Sequence, residues 1–189
     1  IPAVKALMYA GIDDFVKIAE SLGVHYENPK LYGLSLGLGA GEARLLDMVG
    51  AYSAFPNNGL YVPPQAILRI EDAEGNVLFQ YDPPEGRQIV SPVHAYMITS
   101  ILSDNTAREP LQGPNSPLKL SRPAAAKTGS TDSYRDSWTI GYTPNVVTGV
   151  WVGNTDNSPM KEVLGSMGAG RIWHQYMEDI HIGAPVVDF

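Results

Sequence analysis

Three apolar stretches in the second half of the chain read as strands: 124–130, 136–142 and 146–153. The segments that join them, 131–135 and Thr143-Pro144-Asn145, are far shorter than the dozen or so residues a parallel crossover needs. These short connections favour consecutive strands that lie side by side and run antiparallel. Helical patterns come before and after them, so the element order is helices, a hairpin, a helix, strands and a helix. That order predicts an α+β fold with an antiparallel sheet flanked by helices, not alternating βαβ units.

The helical and hairpin signals are local. Phe15, Ile18, Ala19 and Leu22 recur at helical spacing, with Asp13 as a candidate N-cap and Gly23 as the stop. A second helix is predicted over 42–55, closed by Pro56. Between them, the glycine-rich run 33–41 is not followed by Gly-Lys-Ser/Thr, so it reads as a tight-packing loop and not a phosphate cradle. Residues 66–82 read as a hairpin about Asp72-Ala73-Glu74-Gly75-Asn76. Ser91-Pro92 opens a helix carrying Tyr96, Met97 and Ile101. Residues 110–123 read as loop, and a closing helix is predicted over 168–180 with Ile172, Tyr176, Met177 and Ile180.

Composition removes several classes of function. Hydrophobic residues make up 44% of the 189, which excludes a disordered chain. A net charge of −7 argues against a nucleic-acid or anionic-membrane surface. The absence of cysteine removes disulfides, thiolate metal sites and a cysteine nucleophile. His25, His94, His174 and His181 form no cluster with carboxylates, so the sequence offers no metal site. Trp138, Trp151 and Trp173 read as core residues and not as a stacking platform.

The chemistry lies in Lys127-Thr128-Gly129-Ser130-Thr131, at the end of the small-residue strand that begins Ala124-Ala125-Ala126. Chance alone would give a Lys-Thr-Gly tripeptide about 0.03 times in such a composition. A lysine ammonium here supplies positive potential for a carboxylate. The Thr128 and Ser130 hydroxyls supply donors, and Gly129 lets a ligand backbone approach the strand. The amide after the glycine is placed to face a developing oxyanion. An exposed edge strand made soluble by a lysine is the plain alternative.

The neighbouring strands sharpen this reading. Asp136-Ser137-Trp138-Thr139-Ile140-Gly141-Tyr142-Thr143-Pro144 and Val150-Trp151-Val152-Gly153-Asn154-Thr155-Asp156 resemble the sheet strands of penicillin-binding transpeptidases, with Thr139 where that family usually has phenylalanine. Leu36-Gly37-Leu38-Gly39, Ala51-Tyr52, Asn58-Gly59 and the closing helix are similar to its class A, bifunctional members. The resemblance implies a penicillin-binding/serine β-lactamase-like fold, with residues 1–189 as the C-terminal portion of one transpeptidase domain. It implies a D,D-transpeptidase that cross-links peptidoglycan through an acyl-serine intermediate and uses no cofactor. Its partners would be a stem peptide ending in D-Ala-D-Ala and β-lactams. Its place would be the extracytoplasmic face of the bacterial cytoplasmic membrane, on a membrane-anchored parent. Lys127 and Ser130 would be catalytic, and Thr128, Gly129 and Thr131 would bind substrate.

The family's other two motifs, S-x-x-K and S-x-N, have matches only in unsuitable contexts. Ser116-Pro117-Leu118-Lys119 and Ser158-Pro159-Met160-Lys161 lie in proline-containing loops, whereas the chemistry needs serine and lysine one helical turn apart. Ser103-Asp104-Asn105 falls at a predicted helix end close before Lys127. Ile1-Pro2-Ala3-Val4 is similar to the residues directly after S-x-N in class A members, so both motifs are expected upstream of this sequence. Three readings stand: a transpeptidase of which this chain carries only the Lys-Thr-Gly part, a non-catalytic binding or partner fragment, and a D,D-carboxypeptidase or β-lactamase-like hydrolase. Strand 146–153 is expected to present an apolar outer edge, covered by the missing part of the domain or by self-association. Residues 131–135 are expected to form a mobile polar turn beside the site.

Overall fold

The computed structural model describes residues 2–161 and 166–189; Ile1 lies outside them. The chain opens with α1 (Pro2–Ala10) and α2 (Ile12–Ser21), separated by Gly11 at φ 86°. That left-handed glycine is the N-cap of α2, so Asp13 stands in the first turn, where its charge complements the helix dipole, and not at the cap. A short helix, α3 (Pro29–Tyr32), and a 3-10 turn (Gly33–Leu38) follow, then α4 (Leu45–Ser53). The glycine-rich run is thus a packed turn: Leu36 is buried with Leu7 and Val16.

The two-residue strand β1 (Leu60–Tyr61) pairs with β4 (Arg87–Gln88), and the hairpin between them is β2 (Arg69–Glu71) with β3 (Val77–Gln80). Asp72 closes that turn by accepting from the amides of Glu74 and Asn76. Helix α5 (Pro92–Ser103) starts where Ser91 accepts from the His94 amide, and α6 (Asn105–Gln112) starts where Asp104 accepts from the Ala107 amide. The segment expected to be loop from 110 therefore begins inside a helix.

The functional layer is a meander of β5 (Ala125–Ser130), β6 (Asp136–Tyr142) and β7 (Val147–Gly153), antiparallel in the order β5-β6-β7. Helix α7 (Ala169–Ile180) closes the fold. Successive side chains alternate between the sheet's faces, and two glycines show what each face touches. A Cβ at Gly141 would lie 2.4 Å from the Trp173 ring of α7, and one at Gly149 would lie 2.4 Å from Val49 of α4. Helices α7 and α4 thus cover opposite faces. Trp173 and Met177, both fully buried, join Leu118, Leu120, Ala124 and Ala126 in one core cluster.

On the other face Tyr142 is buried, its hydroxyl 2.9 Å from Thr99 of α5. Burial raises its pKa to about 12, the Thr99 bond opposing the shift. Ala95 and Thr99 are the buried residues of α5, while Tyr96, Met97 and Ile101 are exposed. The small residues face the sheet because they let the helix approach it closely.

Candidate active site

Strand β5 runs from the core to the surface. Ala125 and Ala126 are buried, Thr128 is half-buried, and Lys127, Gly129 and Ser130 are exposed. Its register against β6 pairs Lys127 with Ile140, Thr128 with Thr139, Gly129 with Trp138 and Ser130 with Ser137. By that pairing, Thr128 and Ser130 lie on the α7 face and Lys127 on the α4 face. The strand's other side has no partner strand among the described residues.

Backbone groups alternate as well. The Thr131 amide donates to the Asp136 carbonyl across to β6, at 3.2 Å. The intervening carbonyls turn the other way: the Lys127 ammonium donates to the Thr128 carbonyl at 2.5 Å, and Arg108 of α6 donates to the Ala126 carbonyl at 3.3 Å. The backbone of Ala126, Thr128 and Ser130 therefore falls on the outer edge, beside the lysine charge. Lys127 is exposed overall, yet partial desolvation of its ammonium holds its pKa below the usual lysine value, and the neighbouring Arg108 lowers it further. Gly129 is not demanded by this chain's own packing, since an added Cβ would meet only the Trp138 Cβ, at an ordinary 3.5 Å.

Thr131 ends the strand. Its hydroxyl donates to the Asp136 carboxylate at 2.9 Å and accepts from the Asp136 amide at 2.8 Å. The Trp151 indole donates to the other carboxylate oxygen at 2.8 Å. The following turn, with Ser133 and Tyr134 in the left-handed region, is held from outside where the Met160 amide donates to the Tyr134 carbonyl. This turn carries more fixed bonds than its polar composition suggests.

The three motif matches have local tasks. Ser116 is buried, donating to Gln112 at 2.6 Å and accepting from the Leu118 amide. Ser158 sits in a turn in which its amide donates to Asp156. Ser103, Asp104 and Asn105 form the α5–α6 junction. Neither S-x-x-K match lies on a helix. Sequence reasoning missed Arg108, which acts on backbone carbonyls remote in sequence and leaves no pattern of side chains.

Along the outer edge of β7 runs a groove of about 590 Å³, bordered by Leu45, Leu46 and Val49 on one side and Ile172 and Tyr176 on the other. No helix among the described residues is long and apolar enough to cross a membrane.

An edge strand bearing Lys-Thr-Gly, backed by two antiparallel strands and sandwiched between helices, has clear relatives. The family model for the penicillin-binding protein transpeptidase domain matches residues 16–184, and the chain belongs to this family. It is 32% identical to penicillin-binding protein 2D of Bacillus subtilis, matching 100% of this chain and 27% of that protein. It is 33% identical to penicillin-binding protein 1A of Aquifex aeolicus, over 99% of this chain and 25% of that protein. The chain thus spans about a quarter of the length of these curated relatives. Among solved structures, penicillin-binding protein 1A of Haemophilus influenzae superposes with a TM-score of 0.81 at 26% identity, over 99% of this chain and 33% of that one. PonA1 of Mycobacterium tuberculosis, in complex with penicillin V, gives a TM-score of 0.75 at 26% identity, over 90% of this chain and 50% of that one.

Proposed function

We propose that this chain is the part of a peptidoglycan D,D-transpeptidase domain that forms the Lys-Thr-Gly wall of the acyl-transfer site. The observation that carries the reading is the emergence of β5 from the core at Lys127, with Thr128, Gly129 and Ser130 on a sheet edge that no strand among the described residues pairs. In the reaction, a serine hydroxyl attacks the carbonyl of the penultimate D-Ala of a stem peptide. The bond to the terminal D-Ala breaks, and that residue leaves as the free amine with the serine's proton. The amine of a second stem then attacks the ester, forming the cross-link and returning the proton to the serine.

This chain's residues hold and polarise the substrate. Lys127 keeps the edge positive and orients a serine brought by the upstream part of the domain. Thr128 and Ser130 donate to the substrate carboxylate, and the Ser130 amide faces the developing oxyanion. Gly129 admits the substrate backbone, and Thr131 fixes the end of the wall through Asp136. β-Lactams, which carry a carboxylate beside a strained amide, would enter by the same contacts. The parent protein would be membrane-anchored and act at the extracytoplasmic face. The groove along β7 would be covered by a further strand of the complete domain.

Thr128→Val tests the wall while preserving shape. Losing a hydrogen bond to a charged group costs roughly 1.5–3 kcal/mol, or about 10–150-fold in rate. In the complete protein, the second-order rate constant for acylation by a labelled penicillin should fall by that factor. An unchanged constant would remove Thr128 from the site.

A further inference from the structure

We propose that Arg108 is a positioning residue for this site: from α6 it ties the end of α5 to the outer edge of β5, immediately before Lys127. The proposal rests on the reading of Lys127 as part of the acyl-transfer wall. One guanidinium nitrogen, Nη2, donates to two carbonyls. The first belongs to Leu102, in the last turn of α5, where helical carbonyls lack partners. The second belongs to Ala126, on the edge of β5 from which Lys127 projects its ammonium. Arg108 thus clamps the strand at the point where it leaves the core.

The guanidinium is a costly choice for a clamp alone. Its Nη1 is buried without a hydrogen-bond partner among the described residues, and desolvation lowers the proton affinity of the group, with Asp104 opposing. A half-buried cation with an unused donor is unfavourable where an apolar side chain of similar volume would pack. The like charge next door is a second cost, since Arg108 adds to desolvation in lowering the proton affinity of Lys127; what stands against both is the tie that fixes the β5 edge. Position and charge therefore act on the same residue: the carbonyl tie holds the strand where Lys127 leaves the core, and the cation adds to desolvation in lowering the ammonium's proton affinity.

The test compares Arg108→Met and Arg108→Lys by two readouts. The first is the titration of the Lys127 side chain by NMR, with the signal assigned through Lys127→Arg. The second is the pH profile of acylation by a labelled penicillin in the complete protein. Arg108→Met should move the Lys127 midpoint upward and slow acylation about tenfold or more at neutral pH. Arg108→Lys should bring both back toward the parent values. If Arg108→Met does not fold, Arg108→Gln serves the same comparison. An unmoved Lys127 midpoint, or equal rate losses in the apolar and lysine variants, would overturn the proposal. Lys127→Met separates the two claims: if that change leaves acylation intact, the wall reading fails, whereas the Arg108–Lys127 coupling is judged by the titration alone.

Discussion

Lys127→Met in the complete protein is expected to slow acylation by penicillin by about two to three orders of magnitude, the loss typical of removing a preorganised group that stabilises developing charge. Methionine keeps the length and apolar body of the side chain, so the fold should persist. What disappears is the only cation that β5 carries, the one that lies against the Thr128 carbonyl on the outer edge. Lys127→Arg should recover only part of the rate, because a planar fork does not replace a compact ammonium at that carbonyl. Stopped-flow acylation, with circular dichroism to confirm folding, measures both.

The largest expected effect on stability comes from Trp173→Ala. Trp173 is fully buried against Leu118, Leu120, Ala124 and Ala126, and its ring fills the space that glycine leaves at position 141. Removing a buried tryptophan destabilises by about 3–5 kcal/mol, a large share of the roughly 5–15 kcal/mol that typically holds a domain together. The cavity would open beneath Ala126, so β5 loses support on the side that carries Thr128 and Ser130. The indole N–H has no hydrogen-bond partner among the described residues, so Trp173→Phe should be much milder, since it deletes an unpaired donor together with the volume. Urea unfolding of the chain, read by tyrosine and residual tryptophan fluorescence, should rank parent, Phe and Ala in that order. A Trp173→Ala midpoint equal to the parent's would contradict the placement of α7.

The sheet was legible in the sequence because its short connections favour this pairing, and the hairpin because Asp72 and Asn76 carry turn chemistry in their side chains. Helix faces were harder. Of the apolar residues of α5 and α7 that periodicity singles out, Tyr96, Met97, Ile101, Ile172, Tyr176 and Ile180 are exposed and Met177 alone is buried, while Ala95, Thr99, Ala169, Gly170 and Trp173 face inward. Close approach to a sheet selects small side chains, and hydrophobic periodicity does not register them. At the site, Lys127, Thr128, Gly129 and Ser130 were legible as one strand, since the motif is contiguous. The tie from Arg108 and the Thr131–Asp136–Trp151 cluster were not, because they join backbone and side chains that only the folded sheet brings together. Asp13 shows the limit of reading caps by residue type: Gly11, with φ 86°, begins the helix two residues earlier.

The central claim is that this chain supplies the binding wall of a transpeptidase and that the acylated serine lies elsewhere in the complete protein. Ser116 and Ser158, its only S-x-x-K serines, stand in turns with their lysines off any helix, so neither has an amine one turn away to activate it. Peptide mapping after incubation with penicillin tests this directly. The account predicts a stoichiometric penicilloyl adduct on a serine outside these 189 residues in the complete protein, and no adduct on the 189-residue chain alone. A stable adduct at Ser116, Ser158 or any other serine of this chain would contradict it.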